Sequence, residues 1–339
     1  MNANAAPPSV ALLRLMAGTW VSHAISLAAK LGIADLLAEA PRNSDELARA
    51  SEMHAPSLQR VLRALTGIGI FSLGEDGRFC LTPLAEPLRS GVPGSLRAFA
   101  IMLGEEWHWR AWGDLPHSIR TGQSAFEHLY GMTNFEYWAQ HPEAGAIFDQ
   151  AMTSRSAEEN AAVVSAYDFS GIGTLVDVGG GHGSFLAAIL EANPGMRGIL
   201  FDRPQVAVGA MQQIESAGLR SRCEVVSGDF FESVPRGGDA YVLKKVICDW
   251  DDERAVAILR NCHRAMAEGG RLLLVELIVP PGNEPSFAKL LDLLMLVWTP
   301  GGRERTQAEH QTLLASAGFE FANITPTRST VSVIEGIRT

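Results

Sequence analysis

The distribution of apolar and polar positions divides the chain near residue 170. Beyond that point short apolar runs alternate with segments of helical period. The runs predict strands at 174–178, 197–202, 222–227, 239–247 and 271–279. The periodic segments predict helices near 184–192, 204–217, 252–267 and 306–316. Strand and helix in alternation mean a doubly wound, mostly parallel α/β sheet. The N-terminal third reads differently. Ala11 to Ala40 is apolar on nearly every side, with Leu12, Leu15, Met16, Ile25, Leu27, Ile33, Leu36 and Leu37. Such a segment must be buried, in its own core or against a partner subunit, and a homodimer is the expectation. Asn43-Ser-Asp-Glu46 pairs a cap residue with an acid three positions on, a helix start. Ser57 to Gly67 places Leu58, Val61, Leu62 and Leu65 on one helix face. Gly74-Glu-Asp-Gly77 then separates two short apolar runs, a hairpin turn signal. Helix, helix, hairpin is the order of a winged helix.

The stretch between these parts, 101–168, reads as helical and rich in aromatics. The expected division is therefore 1–100, a winged-helix-like dimerisation domain; 101–168, a helical linker that helps form a substrate pocket; and 169–339, a Rossmann-like catalytic domain. Trp107, Trp112, Asn134, Trp250 and Met295 are the candidate lining for a flat substrate, and His108 is a candidate base. Their alternative role is as core and interface anchors.

Composition narrows the function. The formal net charge of −10 argues against nucleic acid, whose phosphates demand a basic face, and disfavours a DNA-reading role for the winged helix. No apolar run reaches membrane-spanning length, and Met1 to Val10 has neither a basic nor an apolar leader region. The four cysteines (80, 223, 248, 262) form no C-x-x-C pair. A reduced, cytoplasmic chain without a metal is the expectation.

The chemistry-bearing signal is Asp177-Val-Gly-Gly-Gly-His-Gly183, between the first predicted strand and its helix. A glycine turn there lets backbone approach a ligand at the carboxyl end of the sheet. The spacing is G-x-G-x-G at 179, 181 and 183; Ser184 stands where a dinucleotide fingerprint needs glycine. Asp202 ends the second strand, nineteen positions after Gly183, where an acid can hold ribose hydroxyls or cap the next helix. Gly228-Asp229-Phe230 ends the third strand, where an Asp and an aromatic can hold an adenine. Lys244 ends the fourth, ahead of Cys248-Asp249-Trp250. Glu276 interrupts the apolar fifth strand, and an unpaired carboxylate there is costly, so it orients a partner or pairs with a cation.

Together these motifs, with Phe201-Asp-Arg-Pro, Gly301-Gly-Arg-Glu-Arg-Thr306, Ala317-Gly-Phe319 and Gly131-Met-Thr-Asn-Phe-Glu-Tyr137, resemble the small-molecule O-methyltransferases. These are the plant caffeate and flavonoid enzymes and their bacterial antibiotic and pigment relatives. Six separated motifs fall in the family's order, across roughly residues 10–335. The resemblance implies S-adenosylmethionine (SAM) as methyl donor and an aromatic or polyketide-like hydroxyl as acceptor. It implies cofactor contacts from Asp177, Gly179, Gly181, Gly183, Asp202, Gly228, Asp229, Phe230 and Lys244. Cys248 stands where the family's motif has its catalytic His, while Asp249, Glu276 and Glu304 match the supporting acids. Three readings of that departure stay open. Cys248 is a pocket wall, another group such as His108 is the base, or the substrate needs none. A SAM-binding protein that does not methylate is the alternative function.

Overall fold

The computed structural model describes residues 7–339 and divides the chain into two compact units. The first comprises the residues up to Arg110 together with Trp138–Arg155; the second comprises Ala111–Tyr137 and Ser156–Thr339. Of the expected linker, 101–110 and 138–155 thus group with the first unit, and 111–137 and 156–168 with the second.

In the first unit, helices Pro8–Met16, Gly18–Lys30, Ile33–Glu39, Ser44–Ser51 and Ala55–Thr66 precede a hairpin of β1 (Phe71–Leu73) and β2 (Phe79–Leu81). The Asn43 capping box forms as its spacing predicts. The Asn43 side chain accepts from the Glu46 N–H, and Glu46 accepts from the Asn43 N–H. Leu58, Leu62 and Leu65 pack with Ile33, Leu37, Leu47, Phe71 and Phe79. The apolar N-terminal segment divides in two. Ala28, Ala29, Ile33 and Leu37 are buried, but Pro8–Met16 buries nothing, and Leu15 and Trp20 are 78% and 76% exposed. Among the described residues no single helix is long and apolar enough to cross a membrane. Pro8–Met16 and Gly18–Lys30 reach that length only as a pair bent by 41°.

The second unit is built on a seven-stranded sheet. Its strands are β3 (Thr174–Val178), β4 (Arg197–Asp202), β5 (Cys223–Ser227), β6 (Ala240–Lys244), β7 (Arg271–Glu276), β10 (Phe319–Pro326) and β11 (Ser332–Arg338). A separate two-stranded sheet pairs β8 (Ile278–Val279) with β9 (Arg305–Thr306). The large sheet runs β10-β11-β7-β6-β3-β4-β5. Its first five strands in sequence are parallel, and β11 joins them antiparallel to β7, so the sheet is mixed. Val176, Val178, Tyr241, Leu243, Leu272 and Leu274 are fully buried. Parallel strands covered on both faces read as continuous apolar runs for that reason.

Two predicted strands end early. The fourth stops at Lys244 because Lys245 takes a left-handed backbone (φ 53°), and a short 3-10 turn, Ile247–Asp249, follows. The fifth breaks after Glu276, where the chain leaves the sheet to pair with β9. Helix Phe287–Trp298 and the β10–β11 hairpin were not among the predicted elements.

Candidate active site

Strand order reverses between β3 and β6, and ligands bind at the carboxyl ends of strands beside such a point. The glycine loop sits there. Gly179 and Gly180 donate their N–H groups to the Phe201 carbonyl at 2.8 and 3.3 Å, which stitches the loop to β4. Gly179, Gly181 and Gly183 all have positive φ. A Cβ on Gly183 would lie 2.6 Å from Leu200, so the helix Ser184–Ala192 can start close to β4 only with glycine there. Around Gly181 there is open space.

Asp202 fastens this loop. Its Oδ2 accepts from the Gly181 N–H at 2.8 Å and its Oδ1 accepts from the Arg203 N–H at 2.7 Å. It does not cap the helix Pro204–Ser216, which has no side-chain cap. Asp177 is fully buried beneath the loop; a Cβ on Gly180 would lie 2.8 Å from its Oδ2. Burial, then the charge of Asp202, pushes its pKa up to about 7. Gly228 is dictated by packing, since a Cβ there would lie 2.7 Å from the Phe201 ring. Asp229 accepts from the Phe231 N–H, and Phe230, Phe231 and Trp250 form an edge-on aromatic corner. Phe135 stacks over Trp250 at 6.5 Å.

Lys244 is held by two residues of the long helix Pro142–Ala166 that sequence reasoning missed. Its Nζ donates to Asn160 Oδ1 at 2.7 Å and pairs with Glu159 Oε2 at 3.3 Å. Glu159 also takes Lys245 at 2.5 Å. Burial lowers the Lys244 pKa to about 8 against the opposing pull of Glu159. The Glu-Glu-Asn run at 158–160 is polar, but nothing in the sequence says what it faces.

The expected catalytic acids gather around Cys248. One oxygen each of Glu276 and Glu304 and the Sγ of Cys248 lie within 4.8 Å of one another, all in buried residues. Glu276 accepts the Ile247 N–H at 3.0 Å, so it anchors the turn that carries Cys248. Burial, then Glu276, Asp249 and Glu304, raises the Cys248 thiol well above its ordinary pKa. Burial, then Glu276, pushes both Asp249 and Glu304 up to about 8. Arg305, 1% exposed and given no role from sequence, is the organiser here. It donates to the carbonyls of Ile247 and Trp250 and to Asp252. Gly302 lies against the same turn: a Cβ would meet the Cys248 carbonyl at 2.7 Å.

The remaining predicted pocket residues are distributed between the units. Trp107 and His108 belong to the first, where Trp107 packs edge-on against Trp138 and burial lowers the His108 pKa to about 4. Trp112, Asn134 and Met295 belong to the second. Asn134 is buried at the start of the helix Asn134–Gln140, and Met295 is partly buried on Phe287–Trp298.

Comparison with known proteins agrees with this geometry. Residues 112–320 match the O-methyltransferase domain, and residues 13–90 match the O-methyltransferase dimerisation domain. The chain is 49% identical over 333 residues to phenazine O-methyltransferase PhzM of Lysobacter antibioticus, covering 98% of this chain and 97% of that protein. It is 38% identical to 8-amino-8-demethylriboflavin N,N-dimethyltransferase of Streptomyces davaonensis, covering 93% and 91%. It superposes with a TM-score of 0.80, at 36% identity and covering 94% and 96%, on the neocarzinostatin O-methyltransferase NcsB1. That protein was crystallised with SAM and 2-hydroxy-5-methyl naphthoic acid. The glycine loop fastened by an acid, the mixed sheet and these matches together identify the chain as a member of the SAM-dependent O-methyltransferase family.

Proposed function

We propose that the chain transfers the methyl group of SAM to a hydroxyl of an aromatic or polyketide-like small molecule, working as a homodimer. The observation that carries this is the placement of the loop fastened by Asp202 and the buried acids around Cys248 at the ends of neighbouring strands. When bound, SAM supplies an electrophilic methyl carbon on a sulfonium. Gly179, Gly181, Gly183 and Asp202 would hold its amino-acid and ribose parts, and Asp229 and Phe230 its adenine. The aromatic residues Phe135 and Trp250 exclude water beside them. The catalytic gain comes first from fixing the acceptor oxygen in near-attack geometry. Mass spectrometry of phenols incubated with the protein and SAM tests the reading: one phenol must gain a methyl group. An amine acceptor is the second reading, favoured by the N,N-dimethyltransferase among the relatives. An aminophenol probe separates the two by the atom that gains the methyl. The alternative of a non-methylating protein has no support among these relatives.

Cys248 is a wall of this pocket. Its raised pKa keeps it a thiol at neutral pH, and a thiol is a poor proton acceptor. Cys248→Ala is expected to lower kcat by less than about tenfold, against the roughly 10²–10⁴-fold contribution of a general base. A thousandfold loss with the fold and SAM affinity intact would show that the thiol takes part in the chemistry.

The exposed apolar side chains of Leu12, Leu13, Leu15, Met16 and Trp20 support the homodimer, since monomers rarely leave such a patch in water. Light scattering is expected to give twice the 36.5 kDa chain mass. The double variant Leu15→Asp/Trp20→Asp is expected to shift it to the monomer mass. A wild-type monomer at micromolar concentration overturns this reading.

A further inference from the structure

The pocket wall holds more acid than its cations can neutralise. Glu276 and Glu304 are 1% and 4% exposed, and the Oε2 atom of each is buried without a hydrogen-bond partner. Every other acid-facing group of the pocket is committed or adds negative charge. Lys245 pairs with Glu159. Arg305 is bound to Asp252 and to two carbonyls. Asp249 and Asp292 are themselves carboxyls, and Asp292 accepts the Glu304 N–H. The Cys248 thiol hydrogen-bonds Glu276 and adds no positive charge. Two buried carboxyls with oxygens within 4.8 Å of each other resist ionising together, so the pair tends to keep one proton at neutral pH. That state leaves one carboxylate oxygen free to accept a proton; the Ile247 N–H holds the Glu276 carboxyl, and Asp292 holds the main chain at Glu304.

We propose that Glu276 and Glu304, sharing a single proton, are the general base that takes the acceptor's hydroxyl proton. The proposal rests on the functional reading above and assigns the deprotonation step to the carboxylate pair. As the O–H bond breaks, its proton goes to the pair. The oxygen's electron pair forms the new bond to the methyl carbon, and the electrons of the broken carbon–sulfur bond stay on sulfur. The pair then returns its second proton to solvent. Burial pushes Glu276 up to about 7 and Glu304 up to about 8, which matches the pair to neutral pH, where a base is most effective.

The test uses the full chain with two probes of different acidity. One is 1-naphthol, which needs deprotonation; the other is 4-nitrophenol, a much stronger acid that is about half ionised at neutral pH and largely ionised in mild alkali. Release of S-adenosylhomocysteine is followed from about pH 5 to about pH 9. Glu276→Gln and Glu304→Gln are expected to lower kcat on 1-naphthol by about 10²–10⁴-fold and to flatten its pH profile. Their loss on 4-nitrophenol is expected to stay below about tenfold, with the KM for SAM unchanged and part of the rate returning in Glu304→Asp. A readout independent of turnover is the infrared carbonyl band of a protonated carboxyl in the SAM-free protein at neutral pH. It is expected in the wild type and is expected to lose intensity in both glutamine variants, over the part that the buried carboxyls of Asp177 and Asp249 contribute. Equal losses on both phenols, an unchanged rate on 1-naphthol, or a band of undiminished intensity in both variants would overturn the proposal. Wild-type protein that binds SAM and methylates neither probe would overturn the functional reading instead, while the band still reports on the shared proton.

Discussion

Glu159→Ala is expected to cost the second unit about 3–5 kcal/mol, the usual penalty for removing one partner of a buried ion pair. Glu159 is 4% exposed and is the shared counterion of Lys244 and Lys245, whose side chains are 8% and 22% exposed. Without it two ammonium groups stand side by side in a poorly hydrated place. The pH dependence has a definite sign. The folded-state pKa of Lys244, about 8, lies below its ordinary 10.5, so the folded protein binds fewer protons than the unfolded chain between those values. Stability contributed by this group therefore rises with pH across that window. In the variant the folded-state pKa falls further, so the rise begins at lower pH and the deficit narrows in alkali. Urea denaturation at neutral and alkaline pH measures both effects. A loss under about 1 kcal/mol at neutral pH would show that Glu159 does not carry the pair. Glu159→Gln, which keeps an acceptor without the charge, is expected to fall between the two.

Asp202→Ala is expected to weaken SAM binding by about 1.5–3 kcal/mol, or roughly 10- to 150-fold. The carboxylate has two roles. It holds the Gly181 N–H, which shapes the loop, and in the proposed site it also accepts from the ribose hydroxyls. Asp202→Asn keeps one acceptor and is expected to lose less. Titration calorimetry with SAM decides the matter, and an unchanged Kd would remove Asp202 from the cofactor site.

Much of this was legible in the chain. The spans 174–178, 197–202 and 184–192 coincide with the observed elements because buried parallel strands and their helices follow simple apolar patterns. The G-x-G-x-G turn and Asp202 were legible because positive φ and a strand-end acid each demand a particular residue type. What escaped notice depends on long-range contact. Glu159 and Asn160 sit about 84 residues before the lysine they hold, on a helix whose sequence gives no hint of what faces it. Arg305 looked like any charged residue in a loop, yet its guanidinium is buried against carbonyls more than fifty residues away. Phe287–Trp298 is apolar apart from Lys289 and Asp292 and has no strand-like alternation, and its helix is fixed by packing as much as by pattern. The strand ends at Lys244 and Glu276 are set by a left-handed backbone and by a second small sheet, neither of which hydrophobicity encodes.

The close approach at Gly302 sets a rule for anyone redesigning acceptor choice by directed evolution. A methyl group there would collide with Thr299 and with the backbone of Cys248 and Asp249, so every library member with a side chain at 302 pays in folding before its selectivity is ever sampled. Diversity is better placed at Asn134, Trp250 and Met295, the proposed lining residues, where a change of side chain leaves that main-chain contact untouched.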